Sequence, residues 1–288
     1  MPQPWQTLAY LNAHPRDKSV RFVEKTHTYY VNGSSKGYVS TTGFVHSFFP
    51  HFDADAVIKT MMASPNWSKS KYFGKTAEEI ATEWSTSGAE SSGKGTNMHL
   101  AIEQWLNGAT NLIDPTVLET KEWQYFQNFW RDYYDDLEPY RMEWEVWDEK
   151  HKLSGSIDAI FRKKDGTYVI YDWKRSKEIK TENTFENGYH PVSHLPNTNY
   201  WHYTLQLNTY KWFLESLYGL EVGDLYLVIL HPNNKNYRRI RLNFLDQEVL
   251  DMLECRKRAV DQVKAGGAYQ PVILPMPEHT PAAPAFID

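Results

Sequence analysis

Apolar residues along this chain recur at two spacings, near every second position and near every third or fourth, and their order sketches a fold. Residues 20–31 alternate as strands do and end at Asn32-Gly33, a tight-turn signal. Residues 53–62 and 76–85 read as short helices. Thr96 is placed to cap a helix running to Leu106, and Pro115 to Tyr134 reads as a second, aromatic-rich helix. Three strands are then expected, at 141–147, 156–161 and 167–173, the last two joined as a hairpin by Asp165-Gly166. A polar stretch at 182–199 reads as a loop or lid, followed by a helix at 201–217. Leu225 to Leu230 is a continuous apolar run of strand length, 237–242 a weaker strand, and 246–263 an amphipathic helix. The expected architecture is α/β (α+β), a mixed central sheet flanked by helices. Residues 1–90 form an accessory region, 91–265 the core, and 266–288, with five prolines, a tail.

Composition narrows the function. With 31 basic and 36 acidic side chains the net charge is −5, so a nucleic-acid enzyme of this balance has to concentrate its cations around a cleft. Three basic runs are available: Lys174, Arg175, Lys177 and Lys180; Arg238, Arg239 and Arg241; Arg256, Lys257 and Arg258. The single cysteine, Cys255, excludes an intrachain disulfide and a four-cysteine zinc or iron–sulfur site. No apolar run is long enough to cross a bilayer and no secretion signal is read, so a soluble intracellular protein without membrane contact is expected. Phe73-Gly74-Lys75-Thr76 imitates the end of a phosphate-binding loop, but position 69 is lysine where glycine is required and no apolar strand precedes it. No zinc-protease helix or serine-nucleophile elbow occurs.

The chemistry concentrates in two expected strands. Asp158 and Asp172 each interrupt an apolar strand, where aspartate is a poor strand former and a buried carboxylate is costly unless paired or metal-bound. Lys174, two residues beyond Asp172, leaves the same face of its strand, while the Trp173 ring points to the other and belongs to the core. Taken alone, Asp172-Trp173-Lys174 reads more readily as an ordinary ion pair than as a reaction centre. Other polar residues stand in order around it. His99 lies on the helix after Gly95, with Glu103 four residues on as its partner or as a plain surface acid. Glu143 and Glu145 share a face of the preceding strand. Gln206 and Tyr210 share a face of a later helix. Arg175 and Lys177 are candidate phosphate contacts.

In this order, Gly95 to His99, Gly155 to Asp158, Asp172-Trp173-Lys174 and Gln206 to Tyr210 resemble the RecB-like exonuclease branch of the PD-(D/E)xK nuclease superfamily. The resemblance implies a restriction-endonuclease-like αβββαβ core. It implies one or two Mg²⁺ or Mn²⁺ ions held by His99, Asp158, Asp172 and the Trp173 carbonyl. Asp158, Asp172, Lys174, Gln206 and Tyr210 would be catalytic, with Gln206 and Tyr210 positioning Lys174 or the substrate phosphate. Strands at the place of 141–147 often carry a glutamate in the family, which favours Glu143 as a supporting acid. The implied activity is a metal-dependent DNA exonuclease acting on single strands or duplex ends in replication, repair or recombination. Members that carry an iron–sulfur cluster need several cysteines, which this chain lacks. A structure-specific endonuclease and a non-catalytic nucleic-acid-binding module on the same fold are the alternatives.

Overall fold

The computed structural model describes residues 2–266. The helices are α1 (Thr7–Leu11), α2 (Thr41–His46), α3 (Ala54–Met62), α4 (Ala77–Leu106), α5 (Pro115–Leu118), α6 (Lys121–Tyr133), α7 (Asn199–Leu217) and α8 (Asp246–Lys264). The strands are β1 (Val20–Val23), β2 (Thr28–Val31), β3 (Val39–Ser40), β4 (Glu138–Asp148), β5 (Leu153–Arg162), β6 (Tyr168–Lys174), β7 (Val222–Ile229) and β8 (Arg238–Arg241). β1 and β2 form a separate antiparallel hairpin, and the other six make one mixed sheet.

The sheet explains where chemistry can sit. Along one edge β5 pairs antiparallel with β4. Its other edge is shared: Leu153 and Ser154 pair with the short parallel strand β3, whereas residues 159–162 pair with β6. Residues 155–158 therefore lie at a fork where the β3 and β6 partners part, and Asp158 stands at its apex. β6 then continues parallel to β7, and β7 pairs antiparallel with β8.

Period-two alternation sends side chains of each strand to two cores. Ile160, Ile170, Leu225 and Leu227 pack with Phe44, Leu205, Phe213 and Met252 from α2, α7 and α8. Ala159, Phe161, Tyr171 and Trp173 face Ile102, Phe126 and Phe129 from α4 and α6. The Trp173 ring is 1% exposed and lies 5.3 Å from Phe129, which places it in the core as expected.

The structure departs from the pattern reading in the first half of the chain. The two helices expected at 76–85 and 96–106 are one 30-residue helix, α4, opened by a Thr76–Glu79 capping box. Between Ile80 and Met98 no residue of it is buried. A helix solvated all round carries no apolar stripe, so its sequence shows no period to read. The proposed division at residue 90 falls inside α4, and β3 and α2 join the core from the accessory side. Conversely, the helix expected over 115–134 is broken, because Thr120 accepts from Trp123 N and starts a new helix. Of the tail expected at 266–288, residues 267–288 lie outside the described residues.

Candidate active site

Four elements bring the polar residues together at the fork. β5 contributes Asp158, whose Oδ2 accepts a 2.9 Å hydrogen bond from Trp173 N of β6. α4 contributes His99, whose Nε2 lies 2.8 Å from the Trp173 carbonyl; a carbonyl only accepts, so Nε2 carries the proton. The other nitrogen, Nδ1, faces Glu143 at 3.4 Å and Asp158 at 3.5 Å. Glu143 sits in β4 with φ 44°, a left-handed conformation that non-glycine residues adopt at a cost of roughly 1–3 kcal/mol. The β4–β5 register steps over it, from Met142↔Ala159 to Trp144↔Ile157. The departure accompanies an inward carboxylate, which accepts from Ser156 Oγ at 3.0 Å.

One ligand atom each from His99, Glu143 and Asp158 lies within 4.8 Å of the others, the one such group among the described residues. Of the four ligands implied by the resemblance, His99, Asp158 and the Trp173 carbonyl are therefore adjacent. Asp172 is beside them but engaged differently. Its Oδ2 lies 2.7 Å from Lys174 Nζ, an ion pair without hydrogen-bond alignment, and that oxygen is otherwise buried without a partner. Three carboxylates and an imidazole gathered together, their negative charge only partly matched by Lys174, form a donor set suited to a divalent cation. The imidazole nitrogen suits Mn²⁺ better than an all-oxygen site would.

The electrostatics of the site are those of crowded anions. Burial opposes charge on His99, yet Asp158 and Glu143 outweigh it and hold the imidazole up at about 9. Burial, followed by the neighbouring acids, pushes both Asp158 and Asp172 above the usual carboxylate range. Burial works against the Lys174 ammonium, but Asp172 and Asp158 outweigh it, so Nζ stays protonated. Glu103 is 7% exposed and is raised to about 7, first by burial and also by Glu143. Its hydrogen bond comes from Gln6 Nε2 at 2.6 Å, so its direct partner is α1's neighbour and its effect on His99 is through charge.

Gln206 and Tyr210 line the α7 side of the fork. Gln206 Nε2 donates to Thr42 Oγ1 at 3.2 Å and to Tyr210 OH at 3.5 Å. Gly155 is required beneath them, since a Cβ there would stand 2.7 Å from both Tyr210 OH and Thr41 Oγ1. The side chain over Lys174 is Tyr203, with Nζ 4.8 Å from the ring centroid. Pattern reading passed over Tyr203, although it stands three and seven residues before Gln206 and Tyr210, on their helix face.

The basic runs divide sharply. Arg175 is held by Glu122 at 2.7 Å with both side chains nearly buried, so its charge is already matched, whereas Lys177 is exposed. Arg239 lies 3.5 Å from the Tyr226 ring centroid and donates to Tyr171 OH, and Arg241 pairs with Asp224. Arg256 binds the carbonyls of His151 and Gly37, while Lys257 and Arg258 pair with acids one helical turn away. Arg239, Arg241 and the third run thus serve the fold and the helix surface, whereas Arg238 is exposed.

Residues 68–279 match the sequence profile of the PD-(D/E)XK nuclease superfamily. The match covers most of the chain, and the protein belongs to that superfamily. Comparison with curated proteins gives no match. Among solved structures, SSO0001 is similar at 16% identity and TM-score 0.32, covering 77% of this chain and 76% of its own. A protein from Eubacterium rectale, recorded as a "Putative exonuclease", is similar at 14% identity and TM-score 0.39, covering 67% of this chain and 77% of its own. Among the described residues no helix is long and apolar enough to cross a membrane.

Proposed function

We propose that this nuclease is a divalent-metal-dependent DNA exonuclease of the RecB-like branch, cutting single strands or frayed duplex ends. The observation that carries it is the convergence at one strand fork of His99, Glu143, Asp158 and the Trp173 carbonyl, beside the Asp172–Lys174 pair. A bound divalent ion supplies a lowered pKa for the attacking water and offsets charge on the phosphate oxygens. His99, Asp158 and Asp172 would hold the ion, with Glu143 and the Trp173 carbonyl as further donors. Lys174 keeps its proton on Nζ and donates toward the oxygen on which charge builds as the phosphodiester is attacked. Gln206 and Tyr210, fixed by one another and by Thr42, orient the phosphate at the fork. Lys177, exposed at the end of β6, contacts the backbone of the strand. The branch-specific motif order favours exonucleolytic over endonucleolytic cutting, and a DNA substrate fits work inside the cell, in replication, repair or recombination.

The test uses end-labelled linear and closed circular DNA, single- and double-stranded, with Mn²⁺ or Mg²⁺. Linear single strands should be degraded and circles spared, and Lys174→Ala should lower cutting by at least about 10²-fold while keeping the fold. Equal cutting of circles would remove the exonuclease assignment. Metal-independent DNA binding with no cutting would replace the enzyme by a binding module.

A further inference from the structure

Resting on the nuclease reading, we infer that Tyr203 is a positioning residue that holds the Lys174 ammonium at the reaction centre through the face of its ring. The Lys174 side chain is pinned from two sides. Asp172 Oδ2 lies 2.7 Å from Nζ, and the Tyr203 ring centroid lies 4.8 Å from it, within the range where a cation is drawn to an aromatic face. The ring itself is anchored, because Tyr203 packs against the core formed by α2, α7 and the sheet. Lysine is a flexible point charge on a long stem, so one carboxylate cannot fix the direction of Nζ. A second wall of fixed geometry can. Asp172 would be a poorer anchor with its carboxylate on a divalent ion, whereas an aromatic face would keep its attraction for the ammonium. Tyr203 thus supplies the restraint that remains in the working site. Its spacing of three and seven residues from Gln206 and Tyr210 puts all three on one α7 face, so a single helix aligns the lysine and the phosphate-orienting pair.

The test replaces Tyr203 in the full-length protein by Phe, by Leu, and by phenylalanines carrying one, two and five ring fluorines. Fluorination keeps shape and apolarity while draining the negative face. Tyr203→Phe should retain activity. Tyr203→Leu should lose about tenfold in kcat, with KM changing less than about twofold, and log kcat should fall stepwise along the fluorinated series to a similar loss. In metal-free protein, NMR should show the Lys174 ε-methylene protons shifted upfield by the ring in wild type and Tyr203→Phe, and not in Tyr203→Leu. A flat fluorinated series, or a Phe variant as impaired as Leu, would overturn the inference, the first leaving a packing role and the second a role for the hydroxyl. A wild-type protein that cuts nothing would instead count against the nuclease reading, while the NMR arm would still report where Lys174 is held.

Discussion

Glu103→Gln offers a direct reading of what it costs to bury a carboxylate beside the pocket. The folded protein raises this carboxyl from its ordinary value of 4.5 to about 7, through burial and the nearby Glu143. At about 1.36 kcal/mol per pH unit, keeping the carboxylate ionised costs the folded state about 3 kcal/mol. The sign follows from proton affinity. The folded state holds the proton more tightly than the unfolded one, so no penalty exists below pH 4.5, it grows as pH rises toward 7, and it is complete above. Glutamine cannot ionise and keeps the carbonyl oxygen that Gln6 Nε2 meets at 2.6 Å. Urea unfolding without metal, followed by tryptophan fluorescence, should therefore show the variant more stable by about 3 kcal/mol at pH 8, a midpoint shift of about 1 M. At pH 4.5 the two proteins should unfold together. A variant that is less stable at pH 8, or equally displaced at both pH values, would refute the reasoning and mean that the carboxylate is well satisfied where it stands.

Three further outcomes follow from the same geometry. Gly155→Ala places a Cβ 2.7 Å from Tyr210 OH and Thr41 Oγ1. It should cost about 1–3 kcal/mol by thermal melting and lower kcat, since Tyr210 has to move. His99 is protonated below about 9, so a cation has to displace a proton, and Mn²⁺ affinity by calorimetry should weaken about tenfold per pH unit from pH 8 to pH 6. A flat profile would remove His99 from the ligand set. Glu143→Gln should weaken Mn²⁺ binding about 10-fold or more with the circular dichroism spectrum unchanged; unaltered affinity would reduce Glu143 to a hydrogen-bond partner of Ser156.

The second half of the fold was legible because its strands are apolar runs buried on both faces and α7 is long and buried nearly all round. β5 and β6 stand out as apolar runs of strand length, and the Asp165-Gly166 turn marks their hairpin, with Gly166 at φ 87°. Asp158, Asp172 and Lys174 stood out as charges within those apolar runs. The exposed middle of α4 was not legible, since a solvated helix has no stripe, and neither was β3, whose two residues are too few for a period. Glu143 announced itself only weakly: its inward turn depends on a left-handed backbone that its sequence neighbours do not signal. Tyr203 resembled one more core aromatic, because its role depends on Lys174, 29 positions earlier in the numbering but adjacent in space. The match of Arg175 to Glu122 is likewise tertiary, between the end of β6 and the first turn of α6.

The account stands on a cation site assembled from distant parts of the chain. Anomalous diffraction from crystals grown with Mn²⁺ addresses it most directly. The account predicts a manganese peak at the fork, bonded to His99 and Asp158 and to at least one of Asp172, Glu143 and the Trp173 carbonyl, and lost in Asp158→Asn. A fork without a peak at saturating Mn²⁺, with His99 still donating to the Trp173 carbonyl and Asp158 still bonded only to Trp173 N, would contradict it.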